Sequence, residues 1–396
     1  MYLTREEERM LAGEQGPGIA KSLELLIALG EVFGAQKLVP VEGAHVSGVS
    51  YKNLGEAGLE WLEDQAKLGS KVKVRATLNP AGMDLIRWKE MNIPEKFAEG
   101  QQRVIRAFKM LGIEPTCTCT PYLVGHVPRF GAQIAWAESS AICYSNSVLG
   151  ARTNRESGPT TIASAITGLT PLYEYRLDEN RLPGKLVEVD AKLEDPVDYS
   201  ALGYVTGKLV GNAVPYLRGL GRPSLESLKT MGAALATSGG VALWHGEGVT
   251  PEAEKVKQHL REVESFTIEE KELKEAREKF TYEVTTPVTC IGCPHCSLCE
   301  VGEVANLCNG KKVGEKLWVF TSRGVYAEAE SMGYIRQIEE AGGKVYCDTC
   351  MVVAPLKEMG WKEVALNSFK GAQYSANMGL KTKVGTAREL VREALK

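Results

Sequence analysis

The sequence lacks the features of a membrane, secreted or nucleic-acid-binding protein. Its 47 Lys and Arg residues nearly balance its 50 Asp and Glu residues, giving a formal net charge of -3 at pH 7. No block of like charge is large enough to attract a nucleic acid, and no apolar run is long enough to span a bilayer. The N-terminal sequence MYLTREEERML is acidic where a signal peptide needs a basic start. We therefore expect a cytoplasmic protein that binds neither nucleic acid nor membrane.

The first third of the chain has the pattern of an α/β domain. With 396 residues, 44% hydrophobic and 24% charged, the chain is long enough for two or three domains. Apolar spacing and turn residues predict a helix over 21–33, a strand over 37–41, a polar loop over 42–54, a helix over 57–67 and a strand over 71–78. This alternation of helices and strands indicates a layered α/β structure for an N-terminal region, residues 1–125.

The middle of the chain, residues 126–265, is rich in small residues, and we expect a central Gly/Ala-rich α/β region. Gly203 to Lys208 resembles a phosphate-binding loop, but three residues separate its glycines instead of four, and Leu209 follows the lysine. We therefore predict a packed turn there. Residues 251–279 are highly charged and predict a solvated helix or connector that marks a domain boundary.

The last region, residues 266–396, predicts a doubly wound α/β domain. Strands are expected over 316–321, 344–346 and 363–366, with helices over 326–341 and 387–395. Ligands of such sheets bind beyond the carboxyl ends of the strands. Several of the cysteines lie at these predicted ends.

Cysteine is the unusual component of the composition. Ten cysteines in a chain with no export signal favour metal binding or catalysis over disulfide bonds. They fall into separated groups, and none lies between residues 144 and 289, so a site that uses more than one group must be assembled by the tertiary fold. The cysteines are Cys117, Cys119, Cys143, Cys290, Cys293, Cys296, Cys299, Cys308, Cys347 and Cys350.

The run from Cys290 to Cys299 has three consecutive two-residue gaps, a density of thiols suited to an iron-sulfur cluster or zinc. Structural zinc usually uses two pairs separated by a longer loop, and a bacterial ferredoxin run has three residues and a proline around its last cysteine. The run fits neither pattern fully. Cys296 and Cys299 continue into a predicted helix, where we expect their thiols to face the helix packing.

Two further motifs supply thiols. Of Cys117 and Cys119, only one can face a cluster while the chain turns at Pro121. Cys347 and Cys350 form a CxxC that suits a redox pair or half of a zinc site equally. Together, the three separated cysteine loops indicate a cluster held by three thiols, with one iron open to a substrate.

Several segments together resemble the aconitase X family, and the resemblance covers nearly the whole chain. These segments are Cys119-Thr-Pro-Tyr122, Glu138-Ser-Ser140, the stretch from Asn146 to Glu156, Gly292-Cys-Pro-His295 and Asp348-Thr-Cys350. The resemblance implies an iron-sulfur hydro-lyase with aconitase-like α/β/α layers and mixed or parallel sheets. It also implies a separate small swivelling-domain subunit that supplies a serine base, because this chain ends at a C-terminal helix with no room for that domain.

The resemblance further implies the residues of the site. The cluster, a 4Fe-4S type with one open iron, would be held by Cys119, Cys293 and Cys350, with Cys290 the main rival to Cys293. Cys117, Cys143, Cys308 and Cys347 are expected to be structural. The candidate catalytic residues are His295 and His126, beside the cysteine motifs, and Glu138 and Asn146, within the family segments.

Two polar segments are candidates for binding a charged substrate. Arg152 and Arg155 flank Asn154 and could clamp a carboxylate or phosphate; the alternative is a surface ion pair with Glu156.

A glycine-bounded loop provides a second anion contact through Ser50, Tyr51 and Lys52, with a solvated loop as the alternative. Lys370, after a predicted strand, is a third contact.

The expected reaction is loss of water from a phosphorylated 3-hydroxy acid. More narrowly, the chain resembles two-chain archaeal members of the family, which implies conversion of 5-phosphomevalonate to trans-anhydromevalonate 5-phosphate in a mevalonate pathway. A cis-3-hydroxyproline dehydratase of the same family is the alternative substrate assignment. An iron-sulfur electron-transfer or scaffold protein and a zinc-stabilised binding module are alternatives of other classes.

Overall fold

A computed structural model describes residues 1–285, 287–313 and 316–395. The described chain forms parallel β-sheets covered by helices, with one small antiparallel pair, which confirms the predicted α/β class. The strands are β1 (Leu38–Pro40), β2 (Gly43–Val46), β3 (Arg75–Leu78), β4 (Ala135–Trp136), β5 (Leu169–Pro171), β6 (Lys185–Asp190), β7 (Pro215–Arg218), β8 (His245–Gly246), β9 (Glu264–Glu269), β10 (Val288–Cys296), β11 (Leu317–Thr321), β12 (Lys344–Cys347), β13 (Glu363–Leu366) and β14 (Lys381–Val384).

Helices precede, connect and follow these strands. They are α1 (Arg5–Leu11), α2 (Pro17–Val32), α3 (Tyr51–Lys67), α4 (Glu95–Met110), α5 (Ser139–Ser147), α6 (Gly158–Thr167), α7 (Pro196–Val210), α8 (Leu225–Gly239), α9 (Ala253–Val256), α10 (Glu270–Phe280), α11 (Leu298–Cys308), α12 (Arg323–Ser331), α13 (Tyr334–Glu340), α14 (Phe369–Asn377) and α15 (Ala387–Ala394). Across the described ranges, no helix is both long and apolar enough to cross a membrane.

The N-terminal part is built on a three-stranded parallel sheet in the order β3-β2-β4. The predicted helix over 21–33 is present as α2, and the predicted loop over 42–54 is wrong, because β2 and the start of α3 lie within it. β2 has only four residues and no run of branched side chains, so it gives little local signal. All four are nevertheless buried, since β2 bonds to a strand on each side.

The middle part contains a four-stranded parallel sheet in the order β8-β7-β6-β9, with α7 packed closely against α8. The predicted turn over 203–208 is wrong: this segment lies inside α7. A Cβ atom at Gly203 would clash with the Met231 carbonyl, and one at Gly207 would clash with Ser238, both in α8. The small residues therefore allow two helices to approach closely.

The C-terminal part is a five-stranded parallel sheet in the order β12-β11-β10-β13-β14. Because the chain moves outward from β10 first on one side and then on the other, the sheet is doubly wound, as predicted. The strands expected over 316–321, 344–346 and 363–366 are present as β11, β12 and β13, and the helix expected over 326–341 is divided into α12 and α13. Buried side chains of α11, α12, α13 and α15 form the apolar core on one face of the sheet.

The predicted connector over 251–279 is only partly helical. It contains β9, which pairs with β6 along its whole length, and α10. The expected division at 265/266 falls inside β9, and the one at 125/126 precedes β4, which pairs with β2. The three-region division is a prediction that the fold alone does not test.

Candidate active site

Three cysteine loops come together at the carboxyl edge of the C-terminal sheet. Cys293 lies near the end of β10, Cys350 follows β12, and Cys119 arrives from the N-terminal part; all three are buried. Their thiols are close enough to influence one another. Burial raises the pKa of each thiol to about 12. Each pKa is raised further by the charge of one of the other two thiols: Cys350 acts on Cys119, Cys119 on Cys293, and Cys293 on Cys350.

A bulge in β10 exposes Cys293 to the other loops. The pairing of β10 with β11 shifts register between Ile291 and Cys296. Gly292 has a φ of 114°, and a Cβ atom there would clash with the carbonyl of Phe320, so glycine is required. Cys290, before the bulge, is fully buried beside Cys293 and Cys350, whose charges raise its pKa further after burial.

His295 fastens the three cysteine loops to one another. Its Nδ1 is 3.0 Å from the hydroxyl of Thr118, its Nε2 is 2.8 Å from the carbonyl of Thr349, and its backbone N–H donates to Cys119 Sγ at 3.3 Å. Burial lowers the pKa of His295 to about 4. The neutral ring therefore donates from Nε2 to Thr349 and accepts from Thr118. This places His295 beside the thiols, but with both ring nitrogens already used.

A lysine of the middle part holds the other side of the same loop. Lys229 of α8 is buried, donates to the carbonyl of His295 at 2.9 Å and pairs with Glu300. Sequence reasoning missed this residue. Apart from Glu226, it is the only charged residue of α8, and a solitary lysine in such a helix is the signal that could have identified it.

A cavity of about 300 Å³ is lined by residues of α3 and α14 and of the segments that follow β2, β3, β4 and Cys350. Its wall contains Lys370, on which charges of Cys293 and Cys119 act. Of the predicted site residues, Ser50, Glu138 and Lys370 line this cavity. The polar residues of its wall are Ser47, Ser50, Asn53, Asn79, Glu138, Ser139, Lys370 and Tyr374.

Lys370 and Glu138 form a buried ion pair in the cavity wall. Lys370 Nζ also donates to Ser140 at 3.0 Å, and Asn79 Nδ2 donates to the second carboxylate oxygen of Glu138 at 2.9 Å. Burial favours protonation of Glu138, but Lys370 and Ser140 outweigh it and lower the pKa of Glu138 to about 2. The pair is thus ionised at neutral pH. Asn79 was not predicted as a site residue; its position immediately after β3 is the available signal.

The predicted anion-binding loop is the beginning of α3. Ser50, the residue before the helix, donates to the carbonyl of Val353 at 2.9 Å, and Lys52 Nζ donates to the carbonyl of Ala354 at 3.2 Å. These two residues hold the segment that follows Cys350. Tyr51 points away from it and donates to Glu56 at 2.9 Å.

The predicted arginine clamp lies apart from the cavity wall. Arg152 pairs with Asp178 and lies 3.6 Å from Glu252. Arg155 is exposed and donates to the carbonyl of Gly240 at 2.6 Å. The alternative, an ion pair of these arginines with Glu156, is also not formed, because Glu156 binds the buried Arg176 at 2.8 Å.

The side chains of the two predicted asparagines form hydrogen bonds with backbone groups. Asn146 Nδ2 donates to the carbonyls of Thr153 and Ala242, both at 2.9 Å, and its Oδ1 accepts from the Thr153 N–H. Asn154 donates to Tyr173 and accepts from the N–H of Tyr175. Both side chains therefore hold the loop conformation around them.

His126 is placed behind the cavity wall. Its Nδ1 lies 2.9 Å from the hydroxyl of Thr77, and its ring packs edge-on against Trp136. It does not line the cavity. Burial, followed by Arg75, lowers its pKa to about 4.

The remaining thiols are distributed through the fold. Cys117 and Cys347 are buried near Asp348, and Cys308 is buried in α11. Cys143 lies against α8, close to Trp244.

The prediction that Cys296 belongs to a helix is wrong, because it is the last residue of β10. Cys299 does lie in α11 and is exposed.

The donor set fits a cluster better than a single ion. Among residues 1–285, 287–313 and 316–395, no three His, Cys, Asp or Glu side chains converge as the ligands of one metal do. Thiols that each bind a different iron need not converge on one point. Three soft donors, each on a separate loop and buried beside a lysine, suit an anionic iron-sulfur cluster.

Comparison with known proteins gives the same relationship along the whole chain. Family models for the first, second and third domains of aconitase X match residues 1–179, 183–278 and 286–396. The crystal structure of Thermococcus kodakaraensis aconitase X in its holo-form superposes with a TM-score of 0.93 at 44% identity, covering 100% of both chains.

Named relatives fall into two groups. The phosphomevalonate dehydratase large subunit of Methanocaldococcus jannaschii is 51% identical over 94% of this chain and 95% of its own. The cis-3-hydroxy-L-proline dehydratase of Pseudomonas aeruginosa is 34% identical over 94% of this chain but only 66% of its own. The chain therefore belongs to the aconitase X family.

Proposed function

We propose that this chain is the large subunit of a hydro-lyase that converts 5-phosphomevalonate to trans-anhydromevalonate 5-phosphate. The observation that carries the proposal is a cavity whose wall holds an ionised lysine-glutamate pair, with the buried thiols of three separate loops near the lysine. Relatives named phosphomevalonate dehydratase large subunit, 45% to 51% identical over 94% to 100% of the chain, support the substrate.

We assign the cluster ligands to Cys119, Cys293 and Cys350. These three thiols influence one another pairwise, whereas Cys290, the rival to Cys293, is influenced by Cys293 and Cys350. A 4Fe-4S cluster bound there would supply an open iron as the Lewis acid for the departing hydroxyl group.

Lys370 has the position of a substrate-binding cation. Its ammonium group lies in the cavity wall, next to two of the proposed ligands, and Glu138 and Ser140 fix its direction. A substrate carboxylate that approached the thiols would gain a charge-assisted hydrogen bond from it. Ser50, at the start of α3, is the other predicted anion contact that lines the cavity, and we assign it to the phosphate end.

We assign removal of the proton on the carbon next to the substrate carboxylate to a base outside this chain. Glu138, the acidic side chain of the cavity wall, is held ionised by Lys370 and has a pKa of about 2, far too low for a general base at neutral pH. A serine of a small swivelling-domain subunit would take the proton. That subunit would also close the cavity and exclude water from it.

The test is an anaerobic assay of the iron-reconstituted chain with its candidate small subunit, following loss of water from 5-phosphomevalonate by mass. Turnover is expected to need both chains. Cys350→Ala is expected to lose turnover together with bound iron and sulfide, while Cys308→Ala, a buried thiol in α11, retains them. Cys290→Ala should keep the iron if Cys293 is the ligand.

Two results would contradict the proposal in different ways. Turnover of cis-3-hydroxyproline in place of 5-phosphomevalonate would keep the family and reject the substrate. Retention of a cluster in both Cys119→Ala and Cys350→Ala would move the cluster to the 290–299 run and favour an electron-transfer protein.

A further inference from the structure

A chain of buried polar side chains runs behind the cavity wall toward Glu138. His45 lies on β2, opposite Thr77 on β3, and its Nδ1 is 2.9 Å from the Thr77 hydroxyl. The same hydroxyl is 2.9 Å from Nδ1 of His126. One hydroxyl group thus joins two imidazoles, and all three side chains are buried.

Both imidazoles are neutral at pH 7. Burial, with a smaller contribution from His126, lowers the pKa of His45 to about 3, and burial lowers that of His126 to about 4. Each ring therefore carries a single N–H. The Thr77 hydroxyl has one proton, and its contact with the Ala44 carbonyl, at 3.4 Å, is longer than its contact with either imidazole. The proton therefore goes to one of the two Nδ1 atoms, and the other Nδ1 has to donate.

Two orphaned atoms decide between the tautomers. His45 Nε2 and Asn79 Oδ1 are both buried without a hydrogen-bond partner, and the Asn79 side chain is near enough to raise the pKa of His45 against the effect of burial. If His45 carried its proton on Nδ1, both Nε2 and Oδ1 would be unsatisfied acceptors. A proton on Nε2 gives each of them a partner after a small adjustment, which avoids two desolvation penalties.

We propose that His45 is a positioning residue, which as the Nε2–H tautomer donates to Asn79 Oδ1 and so directs the Asn79 amide N–H at Glu138. The donors then follow one direction, from His126 through Thr77, His45 and Asn79 to the carboxylate. If the Asn79 amide turned over, its oxygen would face the carboxylate of Glu138 and its N–H the N–H of His45. The chain of hydrogen bonds therefore fixes Glu138, and Glu138 fixes Lys370.

The role of Lys370 in substrate binding rests on the proposed function. The tautomer of His45 can be tested separately from that function. The chain has five histidines, so a histidine-labelled sample of the reconstituted enzyme gives a simple nitrogen NMR spectrum. We expect His45 to be protonated on Nε2 and His126 on Nδ1, with His45→Asn used for assignment. A proton on Nδ1 of His45 would overturn the proposal, whichever substrate the enzyme uses.

Activity provides the second test, through two matched substitutions. A glutamine amide reaches about as far as Nε2, and an asparagine amide about as far as Nδ1. His45→Gln should therefore keep kcat/KM within about threefold, while His45→Asn, which retains only the Thr77 contact, should lose on the order of tenfold or more. Equal activity in the two variants, or a greater loss in His45→Gln, would contradict the proposal.

Controls separate this result from a loss of folding or of function. The two variants are expected to have similar midpoints of thermal unfolding and similar iron contents, because each replaces the same buried ring by an amide. If neither variant folds, the spectrum of the unaltered enzyme decides, with the His45 signals assigned by substituting the other four histidines one at a time. If the unaltered enzyme does not turn over 5-phosphomevalonate, the substrate assignment fails and the tautomer result still stands.

Discussion

Two groups of buried ion pairs have similar chemistry and different surroundings. Arg176 and Glu156 have side chains that are 0% and 1% exposed, and Arg181 is bound by Glu252 and by the carbonyls of Asn146 and Tyr175. All three guanidinium nitrogens of Arg181 and two of the three in Arg176 donate to protein groups.

The Lys370–Glu138 pair, 8% and 12% exposed, opens onto a cavity and lies beside two thiols. Burial of a charge therefore does not identify a site. A buried charge identifies one when part of its hydrogen-bonding capacity is directed at a space large enough for a ligand.

Removing the cavity lysine should have the largest effect. Lys370→Met is expected to lower kcat/KM roughly 100- to 1,000-fold, because a preorganised cation next to the reacting groups is lost. Adding Glu138→Gln should restore stability without restoring activity, since the buried carboxylate is no longer unpaired. Steady-state kinetics of the two-chain enzyme and urea unfolding of both variants measure these effects. If activity recovered in the double variant, the Lys370–Glu138 pair would serve stability alone, like the arginine pairs.

Breaking an arginine pair should affect stability instead. Arg181→Met is expected to lower the free energy of unfolding by about 3–5 kcal/mol, because buried Glu252 keeps only the more distant Arg152, at 3.6 Å. The Arg181→Met/Glu252→Gln double variant should recover much of this loss, and the folded fraction should have normal kcat/KM. A specific loss of activity in folded Arg181→Met would show that this cluster also serves the reaction.

Acid should destabilise the region behind the cavity more than the arginine cluster. The folded pKa of His45 and of His126 lies below the unfolded value of 6.5, so the unfolded chain binds protons first as pH falls. Their contribution is complete above pH 6.5 and decreases below it, by up to about 1.4 kcal/mol per pH unit for each histidine. Unfolding measured from pH 7 to 5 should therefore be less pH-dependent in His126→Asn, and unchanged in slope in Arg181→Met.

The smallest effect is expected at the exposed member of the predicted clamp. Arg155→Ala removes a hydrogen bond to the Gly240 carbonyl from an exposed side chain, and we expect less than about 0.5 kcal/mol in stability and no change in KM. A large rise in KM for 5-phosphomevalonate would return Arg155 to the substrate site.

The sequence predicts those features that depend on local pattern. β11 and β13 are short apolar runs followed by polar residues, and both were predictable with nearly correct bounds. The function of Arg152 was not, because two arginines three residues apart are equally typical of an anion clamp and of a structural cluster. Only the tertiary approach of Asp178 and Glu252 distinguishes them.

The same limit applies inside the site. Separated cysteine motifs predict convergence, and the buried thiols of Cys119, Cys293 and Cys350 do lie near one another. Their assignment as ligands stays a prediction. Asn79 and Lys229 could not be selected from the sequence, since their importance comes from partners that are distant in the chain.

The contacts of His295 also determine when the site can exist during synthesis. Its ring joins Thr118, 177 residues earlier, to Thr349, 54 residues later. Contacts of such long range form late in folding. A ribosome that has released residues 1–300 has therefore exposed Cys119 and Cys293 without the third loop, and the proposed cluster can be inserted only after nearly all of the chain has been translated.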